Sequence, residues 1–246
     1  MLVILNPRLI TIADMVPKCR LVCDIGTDHA YLPIFLLEKR VCQKAIVTEI
    51  NQGPLNIACS NISKKNLQNH VEAVLGDGIK ALEKSLYLKD NKYEDFAIVI
   101  AGMGGNLIVR ILEEGINYAQ KAKTIILQPM SKLEIVYEWL MKHGFDIIDE
   151  ELVKDGNKLY NVLAVKWTGI EKTYNPIDLY ISRRLVEKKD PLLKEYIYWK
   201  ITVLDKIITG LKNSKDYEQE EDNEKGYLAR LINIKHEMMG ILELLQ

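Results

Sequence analysis

The sequence predicts an α/β fold built on a mostly parallel β-sheet and followed by a helical region. Apolar, strand-like segments alternate with helical segments over residues 1–167, a pattern typical of right-handed crossovers between parallel strands. After Gly169 the pattern becomes helical and stays so. With 246 residues, 48% of them hydrophobic, the chain is long enough to bury a sizeable core. We therefore expect two domains, at residues 1–167 and 168–246.

The predicted elements of the first domain follow one another regularly. Continuous apolar runs rich in β-branched residues predict strands, and the periodic segments between them predict helices. Strands are expected near 20–25, 44–50, 70–75, 96–101 and 123–128, and helices near 31–40, 52–66, 104–121 and 131–143. Two further strands, 145–153 and 158–167, flank Asp155-Gly156-Asn157, which is a hairpin signal. The sheet should therefore end with an antiparallel pair.

The second domain carries apolar residues at alternating spacings of four and three, which is typical of helices packed along their length. One series is Ile197, Ile201, Leu204, Ile208 and Leu211, and the other is Leu228, Leu231, Lys235, Met238, Leu242 and Leu245, with Lys235 as the one polar member. The polar segment 213–225 separates the two series. We expect an antiparallel, coiled-coil-like helical hairpin whose apolar stripes form its core.

The segment from Leu21 to Pro33 is typical of a buried strand, a small-residue turn and the start of a helix. Gly26 allows a ligand to approach the backbone, and the helix that follows directs free N–H groups at it. A dinucleotide fingerprint would have three glycines, whereas this turn has one glycine followed by Asp28 and His29. An acidic turn residue repels phosphate but can bind the α-ammonium of an amino-acid-bearing nucleoside such as S-adenosylmethionine.

Three further predicted strands also end in acidic or small residues. The second ends at Glu49, where one carboxylate can accept hydrogen bonds from both ribose hydroxyls. The third runs into Gly76-Asp77-Gly78, where Asp77 could bind an adenine amino group, and the fourth runs into the glycines of 102–105. Ligands of doubly wound sheets bind at such carboxyl ends, so the signals converge on one pocket. Each signal alone also fits an ordinary strand connection.

Arg8 precedes the first predicted strand and could pair with the carboxylate of such a cofactor, or form a plain structural ion pair. The candidate cofactor-binding residues are Arg8, Asp24, Gly26, Asp28, Glu49, Ile50, Asp77, Gly78, Gly102, Met103 and Gly104.

Five short runs together carry a family resemblance. They are DIGTDHAYLP (24–33), TEI (48–50), GDG (76–78), AGMGG (101–105) and LQP (127–129). In this order and spacing they resemble the bacterial tRNA (adenine-22-N1)-methyltransferase family, often called TrmK. The resemblance implies a class I, Rossmann-like methyltransferase domain over residues 1–167 and a helical C-terminal domain. It further implies S-adenosylmethionine as the methyl donor and N1 of the adenine at tRNA position 22 as the acceptor.

The chemistry of this acceptor favours positioning over base catalysis. Adenine N1 has an in-plane lone pair, so it can attack the sulfonium methyl group without first losing a proton. A carboxylate would stabilise the cationic product, and Asp28 is the candidate, with His29 as a partner and Tyr31 to stack on the base. Alternatively, Asp28 contacts only the cofactor, His29 only hydrogen-bonds the turn, and Tyr31 is packed. A paired target base must also be turned outward, because N1 lies on its Watson–Crick edge.

The net charge of −1 and the isoelectric point near 6.5 are not typical of a nucleic-acid-binding protein. Binding of tRNA would therefore depend on local basic patches that meet phosphates, although a solvated helix face is the alternative for each. The candidate contacts are Lys39, Arg40, Lys64, Lys65, Arg183, Arg184, Lys188 and Lys189.

Other features exclude some classes of protein and leave two alternatives open. The four cysteines lack C-x-x-C spacing, which is evidence against zinc, and no uncharged run is long enough to span a membrane. We expect a cytoplasmic enzyme without a metal. The alternatives are a methyltransferase of the same fold that acts on a small molecule or a protein, which the overall charge would suit, and a non-catalytic scaffold that binds the cofactor.

Overall fold

The computed structural model describes residues 3–89, 95–213 and 222–245. The chain forms two compact units, Met1–Lys172 and Thr173–Gln246. The boundary between these units lies slightly beyond the predicted one between residues 167 and 168.

The first unit is built on a seven-stranded sheet. Its strands are β1 (Leu21–Ile25), β2 (Lys44–Glu49), β3 (Val71–Leu75), β4 (Phe96–Gly104), β5 (Thr124–Ser131), β6 (Phe145–Asp155) and β7 (Lys158–Trp167). The order across the sheet is β3-β2-β1-β4-β5-β7-β6. Within β1 to β5, neighbouring strands pair with one another in parallel. In contrast, β7 pairs antiparallel with both β5 and β6. The predicted fold class is confirmed, and the reversed strand is β7, second from the edge.

The helices of this unit differ from the predicted ones in three places. They are α1 (Pro7–Met15), α2 (Tyr31–Glu38), α3 (Gln52–Lys64), α4 (Gly105–Glu114), α5 (Ile116–Lys121) and α6 (Leu133–Lys142), together with a 3-10 helix at Ile79–Lys84. Neither α1 nor the 3-10 helix was predicted from the sequence. The single helix predicted at 104–121 was wrong, because the chain breaks at Gly115. A Cβ atom there would lie 2.4 Å from the Ile79 side chain.

The central strands are buried on both faces, as their continuous apolar runs predict. All five residues of β1 are buried. On one face Val22 lies in a cluster with Ile12 of α1 and Leu36 of α2, and on the same face a second cluster joins Val47 of β2 to Leu55 of α3. Successive side chains of a strand point to opposite faces, so each central strand contributes to both layers.

The second unit is helical. It contains a 3-10 helix (Pro176–Leu179), α7 (Arg183–Lys188), α8 (Leu193–Lys212) and α9 (Asp222–Leu244). Lys194 at the start of α8 and Leu244 at the end of α9 line one cavity of about 390 Å³, so α8 and α9 run antiparallel. The connecting residues 214–221 lie outside the described residues.

The buried stripe on α8 includes the predicted Ile197, Leu204 and Ile208. On α9 the prediction was wrong at one position, because Ile234 rather than Lys235 continues the buried stripe. Lys235 instead places its ammonium 2.5 Å from the Asp205 carboxylate of α8. Among the described residues, no helix combines the length and the apolar character needed to cross a membrane.

Asp24 is a carboxyl group enclosed within β1. Its side chain is 6% exposed and accepts a hydrogen bond of 2.6 Å from the Thr27 hydroxyl. Burial raises the pKa of Asp24 to about 6, and the hydrogen bond from Thr27 lowers it in part. In an unfolded chain an aspartate has a pKa near 3.9. Between these two pKa values the folded protein keeps the proton of Asp24, whereas the unfolded chain loses it. The free energy of unfolding therefore decreases as the pH rises through this window.

We expect Asp24→Asn to remove this pH dependence. The free energy of unfolding of the variant, relative to the wild type, should increase by about 2 kcal/mol between pH 4 and pH 7, since the variant buries no charge. Urea unfolding at several pH values measures it. Asp14→Asn, on an exposed position of α1, is the control and should change far less. Parallel pH profiles for wild type and Asp24→Asn would contradict the prediction.

Gly105 packs directly on the backbone that follows β5. A Cβ atom at this position would lie 2.3 Å from the carbonyl oxygen of Lys132 and 2.9 Å from that of Ser131. We expect Gly105→Ala to destabilise the protein by about 1 to 3 kcal/mol, because backbone atoms cannot move aside cheaply.

Gly53→Ala is the matched control for this substitution, since nothing lies within 4 Å of its Cβ position in α3. The control should be neutral or stabilise the protein by up to about 1 kcal/mol. Urea denaturation compares the two variants, and equal midpoints would show that the contact at Gly105 has no cost.

Candidate functional site

A cavity of about 260 Å³ lies at the carboxyl ends of the central parallel strands. Seven of the predicted cofactor-binding residues line it: Gly26, Glu49, Ile50, Asp77, Gly78, Gly102 and Met103. The other lining residues carry no predicted role: Ile25, Thr48, Gly76, Ala101, Leu107, Arg110 and Ile111. The turns that follow β1, β2 and β3 thus meet the last residues of β4 and the start of α4 at one cavity.

The turn after β1 is held tightly against its neighbours. Gly26 has φ +73°, and a Cβ atom on it would lie 2.3 Å from Cε of Met103. The backbone N–H groups of Gly26 and Thr27 donate to the carbonyl oxygen of Thr48 at 3.0 and 3.1 Å. A side chain at position 26 would therefore occupy space that Met103 fills.

Glu49 presents a carboxylate of fixed orientation at the end of β2. Its Oε1 atom accepts hydrogen bonds from the backbone N–H groups of Ile50, at 3.0 Å, and Asn51, at 3.3 Å. The carboxylate retains further acceptor sites, so it can bind two adjacent hydroxyl groups. The hydroxyl of Thr48 next to it is buried in the cavity wall and has no hydrogen-bond partner in the described part of the chain.

Asp77 forms an ion pair that the sequence does not reveal. Arg110 of α4 donates from Nη1 to Oδ2 of Asp77 at 3.0 Å and approaches Oδ1 with Nη2 at 3.4 Å. Arg110 also contacts Glu114 one helical turn later, at 3.1 Å. The hydrogen bond and charge of Asp77 raise the pKa of Arg110. The spacing of Arg110 and Glu114 indicates a pair on a helix, but no local pattern connects Arg110 with Asp77.

Four predicted cofactor-binding residues do not line the cavity. Asp24 lies beneath the turn and binds Thr27. Asp28 is on the outer side of the turn, and its side chain is 70% exposed. The Cβ position of Gly104 faces the Ser131 hydroxyl at 3.3 Å. The fourth, Arg8, lies at the cavity edge, where its Nη1 atom would be 3.7 Å from a Cβ atom on Gly102.

The three predicted catalytic residues form one exposed cluster at the start of α2. Nε2 of His29 lies 3.3 Å from Oδ2 of Asp28, and the rings of His29 and Tyr31 stack with centroids 5.3 Å apart. Asp28 and Ala30 both have positive φ, +50° and +58°, which is strained for residues other than glycine. Tyr31 is 43% exposed, so its ring is not packed in the core of the described structure.

The basic residues predicted to contact tRNA are distributed over both units, and several already form ion pairs. Lys65 binds Glu38 at 2.8 Å, Arg183 binds Asp178 at 2.9 Å, and Arg184 lies 3.3 Å from Glu187. The others are exposed: Lys39, Arg40, Lys64, Lys188 and Lys189. Across residues 3–89, 95–213 and 222–245, no group of three or more His, Cys, Asp or Glu residues could hold a metal ion.

Comparisons with known proteins agree on a family of methyltransferases. The profile described as "Methyltransferase domain" matches residues 5–163. A protein of Bacillus subtilis (strain 168) named tRNA (adenine(22)-N(1))-methyltransferase is 30% identical over 235 residues, which cover 94% of this chain and 95% of the relative.

Solved structures of similar proteins agree with this match. The crystal structure of the B. subtilis M1A22 tRNA methyltransferase TrmK has a TM-score of 0.80 and 28% identity, covering 98% of this chain and 99% of that one. Streptococcus pneumoniae Sp1610 in complex with S-adenosyl-L-methionine has a TM-score of 0.76 and 27% identity, covering 96% of this chain and 98% of that one. The chain therefore belongs to the tRNA (adenine-22-N1)-methyltransferase family.

Proposed function

We propose that this protein transfers a methyl group from S-adenosylmethionine to N1 of the adenine at position 22 of tRNA. The observation that carries the proposal is the cavity at the carboxyl ends of the central strands, which brings Glu49 and Asp77 together behind the turn at Gly26. Family membership supplies the acceptor, since the B. subtilis relative is named for this position. As a tRNA-modifying enzyme, the protein would act in the cytoplasm.

The residues of the cavity fit a nucleoside that carries an amino acid. Glu49 has acceptor sites for the two ribose hydroxyls. Asp77, oriented by Arg110, retains lone pairs that can accept from the adenine amino group. Ile50 and the other apolar lining residues suit the faces of an adenine ring. S-adenosylmethionine, when bound, supplies the electrophilic methyl group.

The acceptor base would be held by the exposed cluster at the start of α2. The stacked rings of Tyr31 and His29 offer a flat surface for a base. Since the N1 lone pair attacks without losing a proton, the residues need only orient the base and stabilise positive charge. Asp28 carries the carboxylate for that second task, and its side chain, now mostly exposed, would be desolvated when a base covers it.

The tRNA itself would bind through the exposed basic residues of both units. Lys64 on α3 and Lys189 after α7 are exposed and form no ion pair within the described part of the chain. Arg183 and Arg184 are also exposed, but binding a phosphate would compete with their present contacts to Asp178 and Glu187. Affinity for tRNA should therefore decrease with salt concentration, as for any binding that releases counterions.

Methylation of tRNA transcripts tests the proposal directly. The protein is incubated with labelled S-adenosylmethionine and unmodified transcripts, and the modified base is mapped by arrest of reverse transcription. We expect arrest at position 22 with A22 transcripts and none when that base is G. Methyl transfer to a small molecule or protein, but not to tRNA, would favour the first alternative. Binding of the cofactor without any transfer would favour the scaffold.

Glu49→Ala tests the assignment of the ribose site. Loss of the acceptor leaves ligand hydroxyls unpaired, so we expect binding of S-adenosylhomocysteine to weaken by about 1 to 3 kcal/mol in calorimetric titration. Glu83→Ala, an exposed glutamate outside the cavity, is the control and should bind as the wild type does. Wild-type affinity in a folded Glu49→Ala protein would place the ribose elsewhere.

Asp28→Asn tests the role of charge in the chemical step. The amide keeps the size and hydrogen-bonding capacity of the side chain but cannot stabilise a cation, so the methylation rate should fall about 10- to 1,000-fold. Cofactor affinity should change less, and His29→Ala should cost less than Asp28→Asn. Single-turnover rates with saturating tRNA and cofactor separate chemistry from binding. A near-normal rate in Asp28→Asn would leave positioning by the glycine turn at 102–105 as the main effect.

A further inference from the structure

Gln128 is a fully buried amide at the carboxyl end of β5, with 0% of its surface exposed. It lies within the run LQP, to which the sequence assigns no role. Buried polar side chains persist where their polar atoms are hydrogen-bonded, so the partners of Gln128 show what it holds in place.

The side-chain carbonyl oxygen of Gln128 accepts hydrogen bonds from two separate segments. Arg8 of α1 donates from Nη1 at 2.6 Å, and the backbone N–H of Gly102 donates at 3.1 Å. The side-chain nitrogen donates to the carbonyl oxygen of Pro129 at 3.0 Å. These partners fix the orientation of the amide, because a flipped amide would set its N–H groups against two donors. Gln128 thus connects α1 and the carboxyl end of β4 with β5.

Arg8 is held by neutral groups. Besides Gln128, its guanidinium lies 5.8 Å from the ring centroid of Tyr160. Within residues 3–89, 95–213 and 222–245 no carboxylate forms an ion pair with Arg8. No carboxylate compensates the charge of this half-buried guanidinium in the described part of the chain, and its remaining N–H groups can bind an anion.

The guanidinium of Arg8 also lies close to the cofactor cavity. Its Nη1 atom would be 3.7 Å from a Cβ atom on Gly102, and Gly102 lines the cavity. Gly102 has φ +77°, a conformation that glycine adopts without strain. Gln128 therefore fixes both a cation at the cavity edge and the backbone turn next to it.

We propose that Gln128 is a positioning residue that holds Arg8 and the Gly102 turn so that Arg8 binds the carboxylate of the cofactor's amino-acid part. The proposal rests on the proposed function, which supplies the cofactor. Glutamine suits the position for an electrostatic reason. A glutamate could hold Arg8 but would neutralise its charge, whereas an apolar residue would leave the N–H groups of Arg8 and Gly102 without this acceptor.

Calorimetric titration with two ligands tests the proposal, because only one of them carries the carboxylate. S-adenosylhomocysteine carries the amino-acid part, and 5′-methylthioadenosine lacks it. Arg8→Met should weaken binding of the first about 10- to 100-fold, the effect of a lost charge-assisted hydrogen bond, and change binding of the second by less than about twofold. Gln128→Glu should weaken S-adenosylhomocysteine about 5- to 30-fold with the same selectivity, because it neutralises Arg8.

The double variant shows whether Gln128 acts through Arg8. Arg8→Met with Gln128→Glu should bind S-adenosylhomocysteine within about threefold of Arg8→Met alone, since coupled residues are not additive. Thr124→Val, at the other end of β5, is the control for a buried polar change and should bind both ligands as the wild type does. If Gln128→Glu does not fold, as judged by thermal unfolding, Gln128→Met gives the same readout by releasing Arg8.

Two results would overturn the proposal. Equal weakening of both ligands, or a full additional loss in the double variant, would make Gln128 a structural residue. Unchanged S-adenosylhomocysteine binding in Arg8→Met would show that Arg8 does not bind the carboxylate. In either case, methylation of A22 transcripts by the wild-type protein would leave the proposed function intact. If the wild-type protein does not methylate these transcripts, the proposed function is contradicted, but the ratios of ligand affinities still test the role of Gln128.

Discussion

The register of three adjacent parallel strands is the constraint on which the site depends. Ile25 at the end of β1 lies opposite Thr48 of β2 and Ile100 of β4. Because β1 and β2 end at nearly the same level and β4 continues past them, the turns after β1 and β2 meet the last residues of β4 at one edge of the sheet. A slip of β2 by one residue would move the Glu49 side chain to the other face of the sheet. The cavity therefore exists only in this register, which the buried apolar faces of the strands specify.

The carboxyl end of β4 and the residues around it are determined by close packing as much as by hydrogen bonds. Three glycines in this region are required for different reasons. Gly102 has positive φ, Gly105 lies against the backbone after β5, and Gly26 across the cavity makes room for Met103. The pairing of β4 with β5 is irregular at Met103, so the strand bends just before α4 begins. Gln128 adds a hydrogen bond to the same bend, and the cavity edge thereby becomes part of the rigid sheet.

Features that depend on local pattern could be predicted, and features that depend on distant contacts could not. The buried strands and the Asp155-Gly156-Asn157 hairpin follow from residues next to one another. The break at Gly115 depends on the Ile79 side chain, far away in sequence, and a glycine in a helical pattern gives no sign of it. The pair between Arg110 and Asp77 and the contacts of Gln128 are also long-range. On α9, Ile234 and Lys235 both fit an apolar spacing, and only packing against α8 distinguishes them.

Three energetically unfavourable features lie close together at the end of β1 and just before α2. Asp24 is a buried carboxyl whose raised pKa reports an unfavourable environment for its charge, and Asp28 and Ala30 have strained backbones. A buried carboxyl group and a strained backbone persist only where the contacts around them hold them in place. Asp24 accepts from Thr27, the N–H of Thr27 binds the carbonyl of Thr48, and Asn61 donates to the carbonyl of His29 at 3.0 Å. The buried carboxyl is thus the anchor that fixes the turn, and the strain lies where the proposed chemistry takes place.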